Sequence, residues 1–207
     1  EVLVGICLEH TPNMIIAILG VLKAGGAYVP LDPNSPETRL SHMLGDAPLG
    51  MVITHQLLAN RFMDEKRRIV CLDDVKTQGM LAEHKTKNIA VDILDLRSTN
   101  MAYVIYTSGT TSKPKGIGIT HKKSLFTTNN IVNILGYKNS DIEVLPLSLS
   151  HSFGLGCLHT ALFVGSTIIL HKNAIDVENI LNSITRYHAT TLAAVPTTLT
   201  KMVENFN

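Results

Sequence analysis

The chain has 207 residues, 45% of them hydrophobic, and its 18 Lys and Arg against 17 Asp and Glu give a formal net charge of +1. This length and composition predict a globular protein of one domain or two small ones. The balanced charge excludes an overall field that would attract nucleic acid or an anionic membrane. The longest apolar run, from Met14 to Leu22, is shorter than the ~20 residues of a membrane span.

The cysteines and the start of the chain indicate a compartment. Cys7, Cys71 and Cys157 are odd in number, widely spaced and embedded in apolar runs, which is typical of reduced core residues rather than a disulfide framework or a zinc site. No basic region precedes the first apolar run, so a signal peptide is not expected. We therefore expect a cytoplasmic protein, and a chain that opens on Glu1 without a methionine is expected to be an excerpt of a longer one.

Strands and helices are predicted to alternate along the chain. Local signals include Pro12 after the capping residue Thr11, and Asp176 before a periodic apolar segment. The predicted strands cover residues 2–8, 27–31, 49–54, 68–72, 101–106, 117–119, 142–149, 166–170 and 190–195. The predicted helices cover residues 12–23, 36–44, 56–62, 121–135, 153–164 and 177–186, with a last one capped by Thr197. This alternation predicts an α/β fold with largely parallel sheets flanked by helices.

One long stretch lacks these signals. Residues 73–98 are polar, charged and weakly periodic, so they are predicted to be a loop or linker. They form the best candidate boundary between two lobes, at about 1–98 and about 99–207.

A loop rich in hydrogen-bond donors follows the predicted strand at 101–106. Hydroxyl groups come from Thr107, Ser108, Thr110 and Thr111, while Gly109 and Gly116 allow backbone N–H groups to approach a ligand closely. Lys115 adds a mobile cation suited to phosphate, and Pro114 restricts the loop. These features predict an anion-binding loop, and the structural alternative is a solvated turn.

The order of residues in this loop is specific. It is neither a Walker A loop nor a dinucleotide fingerprint, but Tyr-Thr-Ser-Gly-Thr-Thr-x-Lys-Pro-Lys-Gly closely resembles the phosphate loop of adenylate-forming enzymes. These comprise acyl- and aryl-CoA synthetases, luciferases and peptide-synthetase adenylation domains. The segment from Leu22 to Pro33, with Pro36 and Arg39, resembles a second signature of the peptide synthetases and is interpreted as structural. Ser112 stands where the family usually has glycine, which weakens the nucleotide grip if the loop needs a positive φ there.

A second motif, Ser150-His151-Ser152-Phe153-Gly154, lies between a predicted strand and helix, where open α/β sheets hold ligands. It resembles the segment in which acyl-CoA synthetases and luciferases place a His and an aromatic residue beside the substrate carboxylate. The aspartate with which amino-acid-activating domains pair an α-ammonium is absent. Such a pocket suits a carboxylic acid without that ammonium, because a buried unpaired cation is costly. The structural alternative for His151 is a capping or otherwise satisfied histidine at the helix start.

The resemblance implies a reaction in two steps: ATP and a carboxylic acid give an acyl-adenylate and pyrophosphate, and the acyl group then passes to CoA or to the phosphopantetheine of a carrier protein. It implies that His151 orients the carboxylate as the catalytic residue, that Phe153 and Gly154 border the pocket, and that no protein side chain is assigned to a metal. The phosphates, with Mg²⁺, would be held by Thr107, Ser108, Gly109, Thr110, Thr111 and Lys115. The family's adenine and ribose segments and its lid lysine are not found, so the chain is expected to be an N-terminal fragment of the large adenylation domain, inactive alone.

Three alternatives stay open at this point. One is an amino-acid-activating adenylation domain, and another is a non-catalytic nucleotide-binding module. The third, from another enzyme class, is an α/β-hydrolase with Ser152 as nucleophile and Asp176 and His188 following in the right order. The hydrolase interpretation leaves the phosphate loop unexplained.

Overall fold

The computed structural model describes residues 1–63, 67–90, 92–107, 113–172 and 174–204. Contacts divide the chain into two compact units, Glu1–Ser124 and Leu125–Asn207. The division falls inside the helix α5 (His121–Leu135).

Unit 1 is built on a six-stranded sheet with the order β4-β3-β1-β2-β5-β6. Neighbouring strands are parallel except the last pair, β5 and β6, which is antiparallel. The strands are β1 (Leu3–Ile6), β2 (Ala27–Pro30), β3 (Leu49–Thr54), β4 (Arg68–Cys71), β5 (Met101–Thr107) and β6 (Lys115–Thr120). The helices are α1 (Pro12–Lys23), α2 (Glu37–Asp46), α3 (Gln56–Ala59) and α4 (Val75–Glu83), with a 3-10 turn at Asn60–Phe62.

Apolar strand residues form the core of unit 1. One face of the sheet packs against α2, whose Leu40, Met43 and Leu44 are buried. α1 begins at Pro12, where a missing N–H costs nothing. The helix ends at Lys23. Gly25 follows with a φ of +77°, which suits a residue without a Cβ.

Unit 2 contains a smaller parallel sheet with the order β8-β7-β9. Its strands are β7 (Ile142–Leu145), β8 (Thr167–Leu170) and β9 (Thr191–Leu192), and its helices are α6 (Ser152–Val164), α7 (Val177–Tyr187) and α8 (Pro196–Glu204). Val177 and Ile180 of α7 pack with Val144 of the central strand. Asp176 caps α7, as predicted, by accepting a hydrogen bond from the Asn179 N–H at 3.4 Å.

The α/β class with largely parallel sheets is confirmed, but the organisation around residue 98 differs from expectation. β5 pairs with β2 through Tyr28 and Tyr103, whose stacked rings have centroids 5.3 Å apart. Residues 101–120 therefore complete the first sheet, and the boundary between units lies after Ser124.

Two helices also correct the prediction. The stretch 73–98 contains α4, which Asp74 caps by accepting a hydrogen bond from the Thr77 N–H at 2.9 Å. This helix buries no residue, so the sequence carries no apolar stripe that would reveal it. α2 continues through Gly45 to Asp46 instead of ending at Gly45.

The structure also describes the cysteines and the longest apolar helices. All three cysteines are free, Cys7 and Cys157 are buried, and Cys71 is half-buried. Across the described parts of the chain, no helix combines the length and apolarity needed to cross a bilayer.

Candidate functional site

The predicted phosphate loop lies in sequence between β5 and β6, the antiparallel pair of strands in unit 1 that we call the phosphate hairpin. β5 ends at Thr107 and β6 begins at Lys115, and these two residues are paired in the antiparallel register. Ser108, Gly109, Thr110 and Thr111 of the predicted site, together with Ser112, lie outside the described residues. The structure therefore defines the two ends of the loop.

Thr107 and Lys115 lie side by side at the mouth of the loop. Directly paired residues of an antiparallel ladder project from the same face of the sheet, with Cβ atoms about 5 Å apart. Both residues are exposed. A hydroxyl donor and a cationic amine thus lie together on one solvent-accessible face, which is a donor set that suits a phosphate group.

The opposite face of the hairpin is buried against α2. Tyr106 is only 4% exposed, and a Cβ added to its partner Gly116 would lie 3.1 Å from Tyr106 Cζ. The glycine therefore lets the ring lie flat across β6. The Tyr106 hydroxyl donates a hydrogen bond to Asp46 Oδ2 at 2.7 Å. Burial, and then the Asp46 carboxylate, raise the pKa of Tyr106, so the hydroxyl remains a donor.

A second contact joins α2 to the far side of the loop. His42 Nε2 lies 3.0 Å from the carbonyl oxygen of Pro114, and since a carbonyl can only accept, Nε2 carries the proton. The sequence analysis missed His42 and Asp46. Their only signal was a spacing of four residues, which puts both on one face of α2.

In unit 2, the predicted carboxylate-pocket segment lies at the start of α6. His151 immediately precedes the helix in an extended conformation, and its side chain makes no capping hydrogen bond. The structure therefore contradicts the interpretation of His151 as a side-chain cap. The imidazole is exposed, and Phe153 is 51% exposed, so both predicted pocket residues are accessible.

Gly154 has a packing role that the sequence did not reveal. A Cβ on this buried residue would lie 2.3 Å from the Ser148 carbonyl oxygen and 3.0 Å from that of Leu147. The first distance is far shorter than a van der Waals contact, and the oxygen atom belongs to the backbone, which cannot move aside as a side chain can. The start of α6 can approach the preceding loop this closely only because residue 154 has no side chain.

The hydrolase alternative is not supported by this geometry. A nucleophile elbow is a sharp, strained turn from strand to helix, but residues 146–151 separate β7 from α6, and Ser152 has no positive φ. The Asp176 carboxylate caps α7 and also accepts from Asn179 Nδ2 at 2.7 Å. Within the described ranges, no hydrogen bond or ion pair joins Ser152, Asp176 and His188, and the side-chain hydrogen bonds of Asp176 go to Asn179.

Burial shifts the pKa of a carboxylate and of an imidazole in unit 2. Glu143 on β7 has no exposed surface and accepts a hydrogen bond from the Tyr137 hydroxyl at 3.3 Å. Burial raises the pKa of Glu143. On α6, burial lowers the pKa of His159 to about 4, so this imidazole is neutral at physiological pH.

In the ranges that the structure describes, carboxylates and imidazoles do not converge as they do in a metal centre. Across the described residues there is no group of three or more His, Cys, Asp or Glu side chains placed to hold a metal ion. The donors of Thr107 and Lys115 fit the anionic part of a complex between Mg²⁺ and a triphosphate.

Comparison with known proteins shows which protein family this chain matches. The family model described as "AMP-binding enzyme" matches residues 1–207. A linear gramicidin synthase protein of Brevibacillus parabrevis is 38% identical over 167 residues, which is 81% of this chain and 3% of that protein. Bacitracin synthase 1 of Bacillus licheniformis is 33% identical over 206 residues, or 95% of this chain and 4% of that protein. The chain thus spans a small part of these curated relatives.

Solved structures share the fold. An O-succinylbenzoate coenzyme A synthetase from Bacillus subtilis, in complex with AMP, has a TM-score of 0.81 and 24% identity, covering 100% of this chain and 52% of that one. A long-chain-fatty-acid-CoA ligase from Archaeoglobus fulgidus has a TM-score of 0.87 and 22% identity, covering 99% and 42%. The resemblance carried by the phosphate-loop motif is thereby confirmed: the chain belongs to the family of AMP-binding, adenylate-forming enzymes.

Proposed function

We propose that the chain supplies the phosphate-gripping loop and part of the acyl pocket of an ATP-dependent acid–thiol ligase, acting within a longer protein. The observation that carries this proposal is the pairing of Thr107 with Lys115 across the mouth of the loop, within a chain matched along its whole length by the AMP-binding family. A B. subtilis relative in fold is described in complex with ATP and magnesium ion, which supports ATP with Mg²⁺ as the bound nucleotide.

The chemistry explains why such a loop is needed. A carboxylate is a poor electrophile, so one of its oxygens attacks the α-phosphorus of ATP, and pyrophosphate leaves. A thiol then attacks the acyl carbon, and AMP leaves with the electron pair of the broken C–O bond. The protein must hold two anions in line and offset their charge, and Mg²⁺ supplies further neutralisation on the phosphates.

Each predicted site residue has a role in this proposal. Thr107 and Lys115, with Ser108, Gly109, Thr110 and Thr111, hold the β- and γ-phosphates. His151 directs a nitrogen at the substrate carboxylate and fixes its orientation. Phe153 and Gly154 border the acyl group, with Gly154 also keeping the start of α6 close to Ser148.

The substrate we favour is a carboxylic acid without an α-ammonium group. Residues 146–155 contain no acidic side chain, so this segment has nothing to pair with an ammonium. The second candidate is an amino acid. It is favoured by one specific observation, the 38% identity to a linear gramicidin synthase.

Binding of Mg·ATP to the chain, measured by calorimetry, tests the loop. We expect Lys115→Ala to raise the Kd about tenfold or more, because a charge-assisted contact with phosphate is lost. Lys113→Ala is the matched control. Lys113 is exposed two residues away, and its loss should change the Kd less than twofold. Equal effects of the two variants would contradict the proposed role of Lys115.

The reaction class is tested by ATP–pyrophosphate exchange in a protein that carries this chain. Exchange that depends on a fatty or aromatic acid supports the ligase we favour, whereas exchange that depends only on amino acids supports the second candidate. No exchange with any of the three acid classes, alongside intact ATP binding, identifies a non-catalytic nucleotide-binding module.

A further inference from the structure

Helix α2 contacts the phosphate hairpin at two points, one on each side of the loop. Asp46 accepts the hydrogen bond of Tyr106, the residue before Thr107 on the strand that enters the loop. His42 donates to the carbonyl of Pro114, the residue before Lys115 on the exit side. The two contacts flank the pair that forms the mouth of the loop.

From this arrangement we propose that His42 and Asp46 are positioning residues, which fix the spacing of Thr107 and Lys115 and so preorganise this pair for phosphate. This inference rests on the proposed nucleotide-binding function. Neither side chain needs to touch the ligand. Both act through the backbone and ring of residues next to the paired donors, and a preformed site loses less conformational freedom when it binds.

α2 is itself well placed to serve as a fixed support. Its buried residues Leu40, Met43 and Leu44 belong to the core of unit 1. Its first turn is held by Arg61, whose Nε lies 2.6 Å from Glu37 Oε1. The same guanidinium donates to the carbonyl oxygens of Pro33 at 2.6 Å and Ser35 at 2.8 Å, so one side chain ties down the turn that leads into α2.

The hairpin, by contrast, depends on outside contacts on its exit side. β6 ends the sheet and pairs only with β5 in the described topology. In addition, Gly116 brings no side chain to the ladder, and Tyr106 fills that space. The contact from His42 therefore supplies restraint that the edge strand does not provide for itself, while Asp46 holds the Tyr106 ring that lies across β6.

Two measurements on the whole chain test the proposal: amide exchange of Thr107, Lys115 and Gly116, and the Kd of Mg·ATP. We expect His42→Ala and Tyr106→Phe each to speed this exchange about fivefold to tenfold and to weaken ATP binding by a similar factor, since each removes the side-chain hydrogen bonding between α2 and one side of the loop. His42→Gln, whose amide can place an N–H near the position of Nε2, should restore both values. The matched control is His84→Ala, at an exposed histidine after α4, and it should change neither.

The outcomes separate this inference from the proposed function. If ATP binds neither to the wild-type chain nor to a longer protein that carries it, the proposed function fails, while the exchange rates still report whether α2 restrains the hairpin. If exchange is unchanged in both single variants, α2 does not hold the loop and the inference is overturned. It is also overturned if exchange rises while the Kd of ATP stays the same, or if His42→Gln behaves like His42→Ala.

Discussion

The two motifs are held in place by different means. The phosphate hairpin of unit 1 is fixed by side-chain hydrogen bonds from α2, which is 60 to 72 residues away in sequence. The His151 segment of unit 2 is positioned by the close approach of Gly154 to the backbone of Ser148, six residues earlier. The first motif should therefore be sensitive to loss of polar groups, and the second to added volume.

The largest expected effect is that of Gly154→Ala. A methyl group placed 2.3 Å from the Ser148 carbonyl oxygen forces the start of α6 away from the preceding loop, at a cost of about 3 kcal/mol or more in the free energy of unfolding. Chemical denaturation followed by circular dichroism measures this. Gly156→Ala is the control in the same helix: no atom lies within 4 Å of its added Cβ, so a gain of about 0.5 to 1 kcal/mol is expected. Similar losses in both variants would remove the contrast between the two motifs.

The second prediction concerns pH and unit 2. Because the pKa of His159 falls from 6.5 to about 4 on folding, the unfolded state binds more protons between these values. Stability should therefore decline as the pH drops from 6.5 to 4, by about 3 kcal/mol in total from this group. His159→Gln should flatten this decline in denaturation midpoints measured across the range.

Glu143 gives a control, because its contribution to stability changes with pH in the opposite direction to that of His159. Its raised pKa means that the folded state keeps a proton above pH 4.5, so its contribution to stability is lost as the pH rises through the folded pKa. The stability of Glu143→Gln should increase relative to that of the wild type as the pH increases. The two stabilities should be most similar at pH 4. Parallel pH profiles for the wild type and both variants would show that neither group controls the stability of unit 2.

Gly116→Ala should have a moderate effect on unit 1. Its Cβ would meet Tyr106 Cζ at 3.1 Å, and the ring cannot withdraw without losing the hydrogen bond to Asp46, so we expect a loss of about 1 to 2 kcal/mol. Gly118→Ala is the control on the same strand. The Cβ of alanine at this position would lie 3.1 Å from the sulfur of the flexible Met101 side chain. The free energy of unfolding, measured by thermal unfolding, should therefore change by less than about 0.5 kcal/mol. A larger loss for Gly118→Ala would show that Tyr106 is not the constraint.

The smallest expected effect comes from Gly45→Ala. Gly45 lies inside α2 with no atom within 4 Å of an added Cβ, so alanine should stabilise the helix by about 0.5 to 1 kcal/mol. Gly136→Ala is the matched control, since that glycine also has open space but a φ of +71°, and it should destabilise by about 1 kcal/mol. Destabilisation by Gly45→Ala would contradict the location of Gly45 inside α2.

Local chemistry accounts for what the sequence predicted correctly. Pro12 and Asp176 mark helix starts because proline and a capping carboxylate act within one turn. The predicted strand at 190–195 shrinks to Thr191–Leu192. Helix α8 begins at Pro196, so Thr197, the predicted cap, lies inside it. The helix α4 escaped notice since it buries nothing.

The candidate site was predictable only in part. The loop motif singled out Thr107 and Lys115, and the structure pairs these two residues across β5 and β6. Their role in binding phosphate stays a prediction. The contact between His42 and Pro114 joins residues 72 apart, and no local pattern encodes a tertiary contact of this kind. For the same reason, the demand for glycine at position 154 becomes visible only when the carbonyl of Ser148 is seen beside it.

β6 is an edge strand of its sheet, and this location affects how easily the strand can shift. A strand with a single hydrogen-bonded neighbour can shift by breaking one ladder, whereas a shift of β1 or β2 would disrupt two. The exit strand of the hairpin is thus the part of the sheet whose displacement would break the fewest ladders while the five parallel strands stay in register, and the hydrogen bond from His42 to Pro114 opposes that displacement.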